Sequence, residues 1–348
     1  MRILFMGTPE FSVPTLECLY RAGHEVVGVV TQPDKPRGRG GAVSYTPVKE
    51  KALELKLPVY QPRRVRAAEF LETVRELAPE AIVVIAFGQI LPQALLDIPR
   101  YGCINIHASL LPRYRGAAPI QWAVIHGEKE SGITIMQMDA GLDTGDMLKK
   151  QTVPLAPDET GGSLHDKLMT AGGPLLLETL KEIEAGEAAP EPQIGESCYA
   201  SMLDKAMGDI DWSRDAAAIE RLVRGLNPWP SAYTHWKGKT LKLWRTEIVG
   251  TKETAEEASS QEMRKEAAGA EEAGAGEKLD KTENSRKTAA VCPGTVLSVE
   301  DGILVQTGAG VLRILELQLE GKKRMDADAF LRGARMEAGD VLMCATIS

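Results

Sequence analysis

Residues 101–122 read YGCINIHASLLPRYRGAAPIQW, and the rest of the chain is ordered around them. From Gly102 to His107 the residues alternate as in a strand, so that Cys103, Asn105 and His107 share one face and Ile104 and Ile106 the other. Asparagine and histidine are unusual choices for a face that its apolar company marks as buried. They lead into Ser109, a Leu-Leu-Pro turn, and then Arg113, Arg115 and Gly116. Polar groups at the end of an apolar strand stand where an open α/β sheet places its ligand chemistry. The bland alternative, that Asn105 and His107 are hydrogen-bonded core groups, stays open on this stretch alone.

Toward the N-terminus, Met1 to Gly7 reads as a buried strand, GTPEF as a turn, Val13 to Ala22 as an apolar-periodic helix and Glu25 to Thr31 as a second strand. This β-α-β opening predicts a doubly wound, mostly parallel sheet. The turn lacks the GxGxxG pattern, which argues against a dinucleotide site. Residues 32–47, QPDKPRGRGGAVSYTP, are expected to form a loop that continues neither helix nor strand. Glycines beside Arg37 and Arg39 let the backbone approach a phosphate chain, although a solvated surface loop reads equally well.

Beyond it the pattern gives helices at Val48 to Leu55 and Ala67 to Leu77, a short strand at Val59, and an apolar strand from Ala81 to Phe87 that ends in GQILP. A helix near Ala118 to His126 precedes a strand from Gly132 to Met138, which opens into DAGLDTGD. Asp139, Asp143 and Asp146 stand among its glycines, but no glutamate closes an EF-hand loop, so no metal is expected. After a helix from Ser163 to Glu184, a Pro- and Glu-containing segment divides the chain: 1–190 as a catalytic domain, 191–208 as a linker and 209–348 as a second domain. There, a helix at Ala216 to Leu226 precedes short strands at 232–236, 240–249, 294–299, 303–307 and 311–318, which predict a small antiparallel, OB-like barrel. Residues 251–290 contain no aromatic side chain, are dominated by Ala, Glu, Gly and Lys, and read as a low-complexity insertion.

The chain has 348 residues, 43% of them apolar and 26% charged, as a globular protein of two or three domains has. No apolar run approaches the ~20 residues of a membrane helix, and the chain opens directly on the strand MRILFMG. A cytoplasmic location without a targeting segment is therefore expected. Five scattered cysteines without a CxxC pair fit reduced thiols rather than a zinc site or a disulfide framework. The net charge of -8 hides its distribution, because residues 151–200 hold two basic and nine acidic side chains, whereas 31–66 hold nine basic against three acidic. A polyanion can find a local basic surface, although a solvated charged face is the commoner case for any one patch.

Asn105 and His107 gain a natural third partner in Asp143. A carboxylate orients a histidine and favours its charged form, and an asparagine amide donates to a developing oxyanion. The set suits acyl transfer without a covalent enzyme intermediate. Cys103 shares the strand face, but four residues of extended chain put its Cα ~13 Å from that of His107, too far for a Cys-His dyad. Ser109 has no nucleophile elbow and reads as a turn and ligand-binding residue.

At these motifs, MGTPEFSVPTLE, QPDKPRGRG, AFGQILP, NIHASLLPRYRGAAPIQWAV, GLDTGD and DWSRDAAAIERLVRGLNPWPSAYT, the chain resembles the folate-dependent formyltransferase family over nearly its full length. The resemblance implies that a formyl group passes from 10-formyltetrahydrofolate to the α-amine of methionine on initiator tRNA. It implies Asn105, His107 and Asp143 as the catalytic residues. For the folate it implies the loops that carry Phe87, Gly88, Gln89, Ile90 and Leu91, then Ser109, Leu110, Leu111 and Pro112, and finally Asp139. tRNA contacts are implied for Lys35, Arg37 and Arg39, and for Lys322, Lys323 and Arg324 in the second domain. Trp229 and Trp236 are candidates for stacking on bases or for barrel core, with core favoured for both. The insertion at 251–290 is foreign to the family pattern, and its acidic excess points away from tRNA. No metal and no membrane partner are expected, and the absence of an apolar seam suggests a monomer. A relative acting on a small amine would share the catalytic motifs; the basic loop and the second domain favour tRNA. An RNA-binding protein with an inactive catalytic domain would not keep Asn105, His107 and Asp143 together.

Overall fold

The computed structural model describes residues 1–37, 42–250 and 291–343, with the side chains of 35–37, 42 and 43 excluded. Arg39 and the 251–290 insertion therefore lie outside the described residues. The chain forms two compact units, Met1–Leu203 and Asp204–Ser348.

The first unit runs β1 (Arg2–Gly7), α1 (Val13–Arg21), β2 (Glu25–Val30), β3 (Lys35–Arg37), β4 (Ala42–Ser44), α2 (Pro47–Glu54), β5 (Val59–Tyr60) and α3 (Ala68–Leu77). It continues through β6 (Ala81–Ile85), α4 (Gln93–Leu96), β7 (Cys103–His107), β8 (Arg115–Gly116), α5 (Pro119–His126), β9 (Glu130–Gln137), β10 (Met147–Pro154), α6 (Gly161–Ala185) and β11 (Tyr199–Ala200). Seven strands make one sheet in the order β10-β9-β7-β6-β1-β2-β5. Five of them, β5 through β7 in that order, are parallel, and β9 runs antiparallel to both β7 and β10.

Alternation along the strands sorts side chains into two cores. Ile3, Phe5, Val83, Ile104 and Ile106 pack with Leu16, Leu168 and Leu176 on one face; Leu4, Met6, Ile82, Val84 and Cys103 pack with Phe70, Val74 and Leu95 on the other. Each such side chain, fully buried, contributes roughly 1.5–3 kcal/mol. This sorting pins the register of β7, since a slip of one residue would turn both isoleucines onto the site face. The long helix α6 starts at a reciprocal cap, with Ser163 N–H donating to Thr160 Oγ1 at 3.0 Å and Thr160 N–H to Ser163 Oγ at 2.9 Å. It stops at Gly186, whose φ of 71° ends it in the left-handed region.

Three sequence expectations change here. Residues 32–47 are not wholly loop, because β3 and β4 pair as a two-stranded ribbon with Pro36 opposite Val43. A ribbon has a free edge on each strand, where a proline without an N–H is tolerated. Strand β10, with a single buried residue, has no apolar pattern to announce it and was not foreseen. The stretch expected as a linker belongs, through Leu203, to the first unit, where β11 pairs with β8 and Glu191 pairs with Met147.

The second unit runs α7 (Ala216–Gly225), β12 (Ala232–Trp236), β13 (Lys239–Val249), β14 (Val296–Ser298), β15 (Ile303–Gln306), β16 (Val311–Leu319), β17 (Met325–Asp326) and α8 (Ala327–Gly333), the last not foreseen. Its antiparallel sheet has the order β12-β13-β16-β15-β14, with β17 beside β16. The sheet curls until residues 339–343 bond to both of its outer strands. His235 and Met343 exchange N–H···O bonds of 2.9 and 3.0 Å, and Val296 N–H donates to Asp340 O at 2.8 Å. Ala216, Ile219 and Val223 give α7 one apolar face, which packs with Trp236, Leu243, Leu312 and Phe330. Trp236 is core, as expected, and its Nε1 donates to Asp340 Oδ2 at 2.9 Å. Trp229 is not core: the residue is 55% exposed.

Candidate active site

The C-terminal ends of β1, β2, β6 and β7 meet where the sheet order reverses, the usual ligand edge of such a sheet. Side chains stitch these ends together. Thr8 Oγ1 donates to Phe87 O at 3.0 Å and Gln32 Nε2 donates to the same carbonyl at 3.1 Å, while Gln89 Oε1 accepts Val65 N–H at 3.0 Å. Of the loop expected to meet folate, Phe87 and Leu91 point into the core, whereas Ile90 is 84% exposed. Ser109 and Leu111 are buried; Ser109 Oγ donates to Arg113 O at 2.7 Å, and Leu111 N–H donates to Thr134 Oγ1 at 3.1 Å. Leu110 and Pro112 are half-buried.

On β7, Asn105 is 9% exposed and His107 6% exposed. The side-chain amide of Asn105 has no hydrogen-bond partner among the described residues. His107 is held at both nitrogens' sides. Its Nε2 lies 2.8 Å from Tyr114 O, and since a carbonyl only accepts, Nε2 carries a proton. Its Nδ1 faces Asp143 Oδ2 at 3.8 Å, within ionic reach but beyond hydrogen-bond length. Asp143 Oδ2 instead accepts Gly116 N–H at 2.9 Å.

The loops that deliver these groups are bent against their own preference. Asp143 has φ of 52° and Tyr114 φ of 59°, both left-handed, a conformation that costs a non-glycine residue about 1–3 kcal/mol. Gly145 is required beside Asp143, because a Cβ there would meet Gln137 O at 1.8 Å. Tyr114 is anchored from its far end, where its hydroxyl donates to Glu128 Oε1 at 2.5 Å and lies 3.1 Å from His126 Nδ1. Burial, with the Glu128 carboxylate beside it, pushes the Tyr114 phenol well above its ordinary value. Asp139 turns its carboxylate onto its own loop, taking Gly141 N–H at 3.0 Å and Thr144 Oγ1 at 2.8 Å. Among the described residues no cluster of three metal-ligating side chains occurs.

Cys103 is buried, and desolvation pushes its thiol up to about 12, so it is not a thiolate near neutral pH. Lys35 and Arg37 lie in the β3–β4 ribbon, and Lys322 and Lys323 are exposed. Arg324 is already engaged, donating twice to Glu316 at 2.5 Å with its guanidinium 4.8 Å over the Trp244 ring.

Sequence reasoning missed Tyr114, Gly116 and Gln193. The first two act through backbone atoms and leave no side-chain signature; Gln193 fell in the supposed linker, where it bonds to Arg115 and to the Asp143 loop.

A formyl transferase family model matches residues 1–180, and a formyl transferase C-terminal domain model matches residues 202–335. The chain is 50% identical over 341 residues to the methionyl-tRNA formyltransferase of Agathobacter rectalis, covering 97% of this chain and 98% of that one. It is 50% identical over 341 residues to the methionyl-tRNA formyltransferase of Geobacter sulfurreducens, covering 97% and 96%. The crystal structure of the N-formyltransferase from Helicobacter canadensis in complex with folinic acid and dTDP-3-aminofucose superposes with a TM-score of 0.60 at 14% identity, over 90% of this chain and 98% of that chain, a likeness of fold. With both domains matched and half of its residues shared along almost its whole length, the chain belongs to the formyl transferase family, among the methionyl-tRNA formyltransferases.

Proposed function

We propose that this protein transfers the formyl group of 10-formyltetrahydrofolate to the α-amino group of methionine on initiator methionyl-tRNA. The observation that carries the reading is the side chain of Asn105, nearly buried and without a partner among the described residues, on the strand face it shares with His107. An amide on a strand face that no described residue pairs, and that is not sealed from solvent, is free to donate to a ligand.

In the step, the neutral α-amine attacks the formyl carbon and the carbonyl oxygen becomes an oxyanion. Asn105 donates to that oxygen, and His107 adds positive character when Nδ1 is protonated beside Asp143. A proton leaves the attacking nitrogen and reaches N10 of the folate as the C–N10 bond breaks. The Asp143–His107 pair is the group suited to pass it, through a water if their separation persists in the complex. Tetrahydrofolate and N-formylmethionyl-tRNA are the products, with no covalent enzyme intermediate and no metal. The folate lies against the loops 87–91 and 109–112 and Asp139, and the tRNA against Lys35, Arg37, Arg39, Lys322, Lys323 and Arg324. The protein works as a cytoplasmic monomer.

The test offers labelled 10-formyltetrahydrofolate in parallel with methionylated initiator tRNA, methionylated elongator tRNA and an amino-sugar nucleotide. Label on initiator tRNA alone is the expected result. Label on the sugar amine instead overturns the acceptor, and no label anywhere overturns the reaction.

A further inference from the structure

Asp143 sits at a left-handed φ of 52°, and its carboxylate accepts the Gly116 N–H at 2.9 Å. Something else must hold its backbone in place. Gln193 touches that backbone directly: its Nε2 donates to the carbonyl of Asp143 at 2.9 Å and to the carbonyl of Gly145 at 2.8 Å. Its Oε1 accepts from Arg115, from Nε at 3.0 Å and from Nη2 at 2.7 Å. The amide's orientation is forced by its neighbours, because a guanidinium only donates and a carbonyl only accepts. Turning the amide over would break all four bonds.

The side chain is aimed from a fixed base. Glu191 and Met147 exchange N–H···O bonds of 2.8 Å in each direction, which ties the chain two residues before Gln193 to the first residue of β10. On its other side, Gln193 grips Arg115, the neighbour of Gly116, whose N–H supports the Asp143 carboxylate at 2.9 Å. One amide therefore bridges the main chain of 143–145 and the strand on which the carboxylate rests. Gln193 lies between the stretches matched by the two family models, 1–180 and 202–335.

We infer that Gln193 is a positioning residue for formyl transfer: it touches no reacting atom, but holds Asp143, against its backbone preference, within ionic reach of His107. The inference rests on the reading of Asp143 given above and deepens it. The competing account makes Gln193 a plain cross-link between Arg115 and the segment after α6. Gln193→Glu separates the two. An ionised glutamate still accepts from Arg115, as an ion pair, but has no N–H for the two carbonyls and sets a negative charge against them.

The experiment compares wild type, Gln193→Ala and Gln193→Glu in steady-state transfer to methionyl-tRNA, in thermal melting, and in hydrogen exchange of the Gly116 amide. Both variants are expected to lose roughly 100-fold in kcat, as for a reacting group displaced by about 1 Å, with KM for both substrates near wild type. Gln193→Glu should melt near the wild-type temperature, and Gly116 should exchange roughly tenfold faster in both variants as its acceptor drifts. Wild-type kcat in Gln193→Glu, or unchanged Gly116 exchange in both variants, overturns the inference. If wild type itself transfers no formyl group to methionyl-tRNA, the proposed function fails separately. The exchange measurement needs no substrate: faster exchange still supports the restraint on Asp143, and unchanged exchange still overturns it.

Discussion

Nε2 of His107 donates to the carbonyl of Tyr114 at 2.8 Å, and this bond leaves Nδ1 facing Asp143 at 3.8 Å. The ring's orientation is thus set by a main-chain atom of a left-handed residue, whose side chain is pinned 12 positions away in sequence to His126 and also to Glu128. The chemistry of the site follows from where β7 ends and how the next turn is tied down.

Removing either polar group from β7 should remove catalysis while leaving the fold. Asn105→Ala is expected to lower kcat by about 100- to 1,000-fold as an oxyanion donor is lost, with little change in melting temperature because no described residue bonds to the side-chain amide. His107→Ala and Asp143→Ala are expected to abolish transfer while tRNA binding survives. Single-turnover rates at saturating tRNA check this, and near-normal turnover in any of the three would sink the assigned roles.

Cys103 should behave as an inert core residue. With its thiol pushed up to about 12, it is expected to resist iodoacetamide at pH 8 in the folded protein while the exposed Cys292 is alkylated, as read by peptide mass spectrometry. Cys103→Ala should keep wild-type kcat and cost about 1 kcal/mol of stability through the small cavity it leaves. Loss of transfer in that variant would restore the thiol as a nucleophile.

Glu159 should make the first unit sensitive to acid. Burial by itself would raise its carboxyl, but the Lys167 ammonium, the Ser163 hydroxyl and the Ala156 N–H together hold it below its ordinary value of 4.5. A group whose folded value is depressed contributes stability that is complete above the unfolded value and disappears as pH falls through the folded one. Urea midpoints should therefore be flat above about pH 5 and fall below it. Glu159→Gln should be less stable near neutrality and show a flatter acid limb; an unchanged limb would exclude Glu159 as the source.

Charge removal within residues 32–47 should act on tRNA alone. Arg37→Ala and Arg39→Ala are each expected to raise KM for methionyl-tRNA, to leave KM for the folate unchanged, and to reduce the slope of log affinity against log salt by about 1. Arg324→Ala should have the smaller effect on tRNA, since its guanidinium is already spent on Glu316. Equal effects at all three positions would contradict that distinction.

Much of the first unit was legible before folding. Five consecutive buried residues in β1, and the Ile104–Ile106 alternation in β7, are local patterns that one side chain at a time suffices to write. The same is true of the β12 to β16 strands, whose alternation survives in a sheet with one face on a core. Strand β10 and the β3–β4 ribbon were not legible, because an edge strand with exposed residues or a proline is held by its partner's backbone, not by its own sequence.

For the site, sequence alone determined its chemistry: an asparagine and a histidine on one strand face, and an aspartate in a glycine-rich loop that a motif marks out. Only the tertiary structure decided their geometry. It brought Asp143 to His107 across 36 positions of sequence, assigned the carbonyl of Tyr114 to the ring, and made Gln193, in a supposed linker, the support of the Asp143 loop. The physical reason is that side-chain identity is written locally, whereas backbone donors and acceptors are the same at every position and acquire meaning only when folding sets one against another.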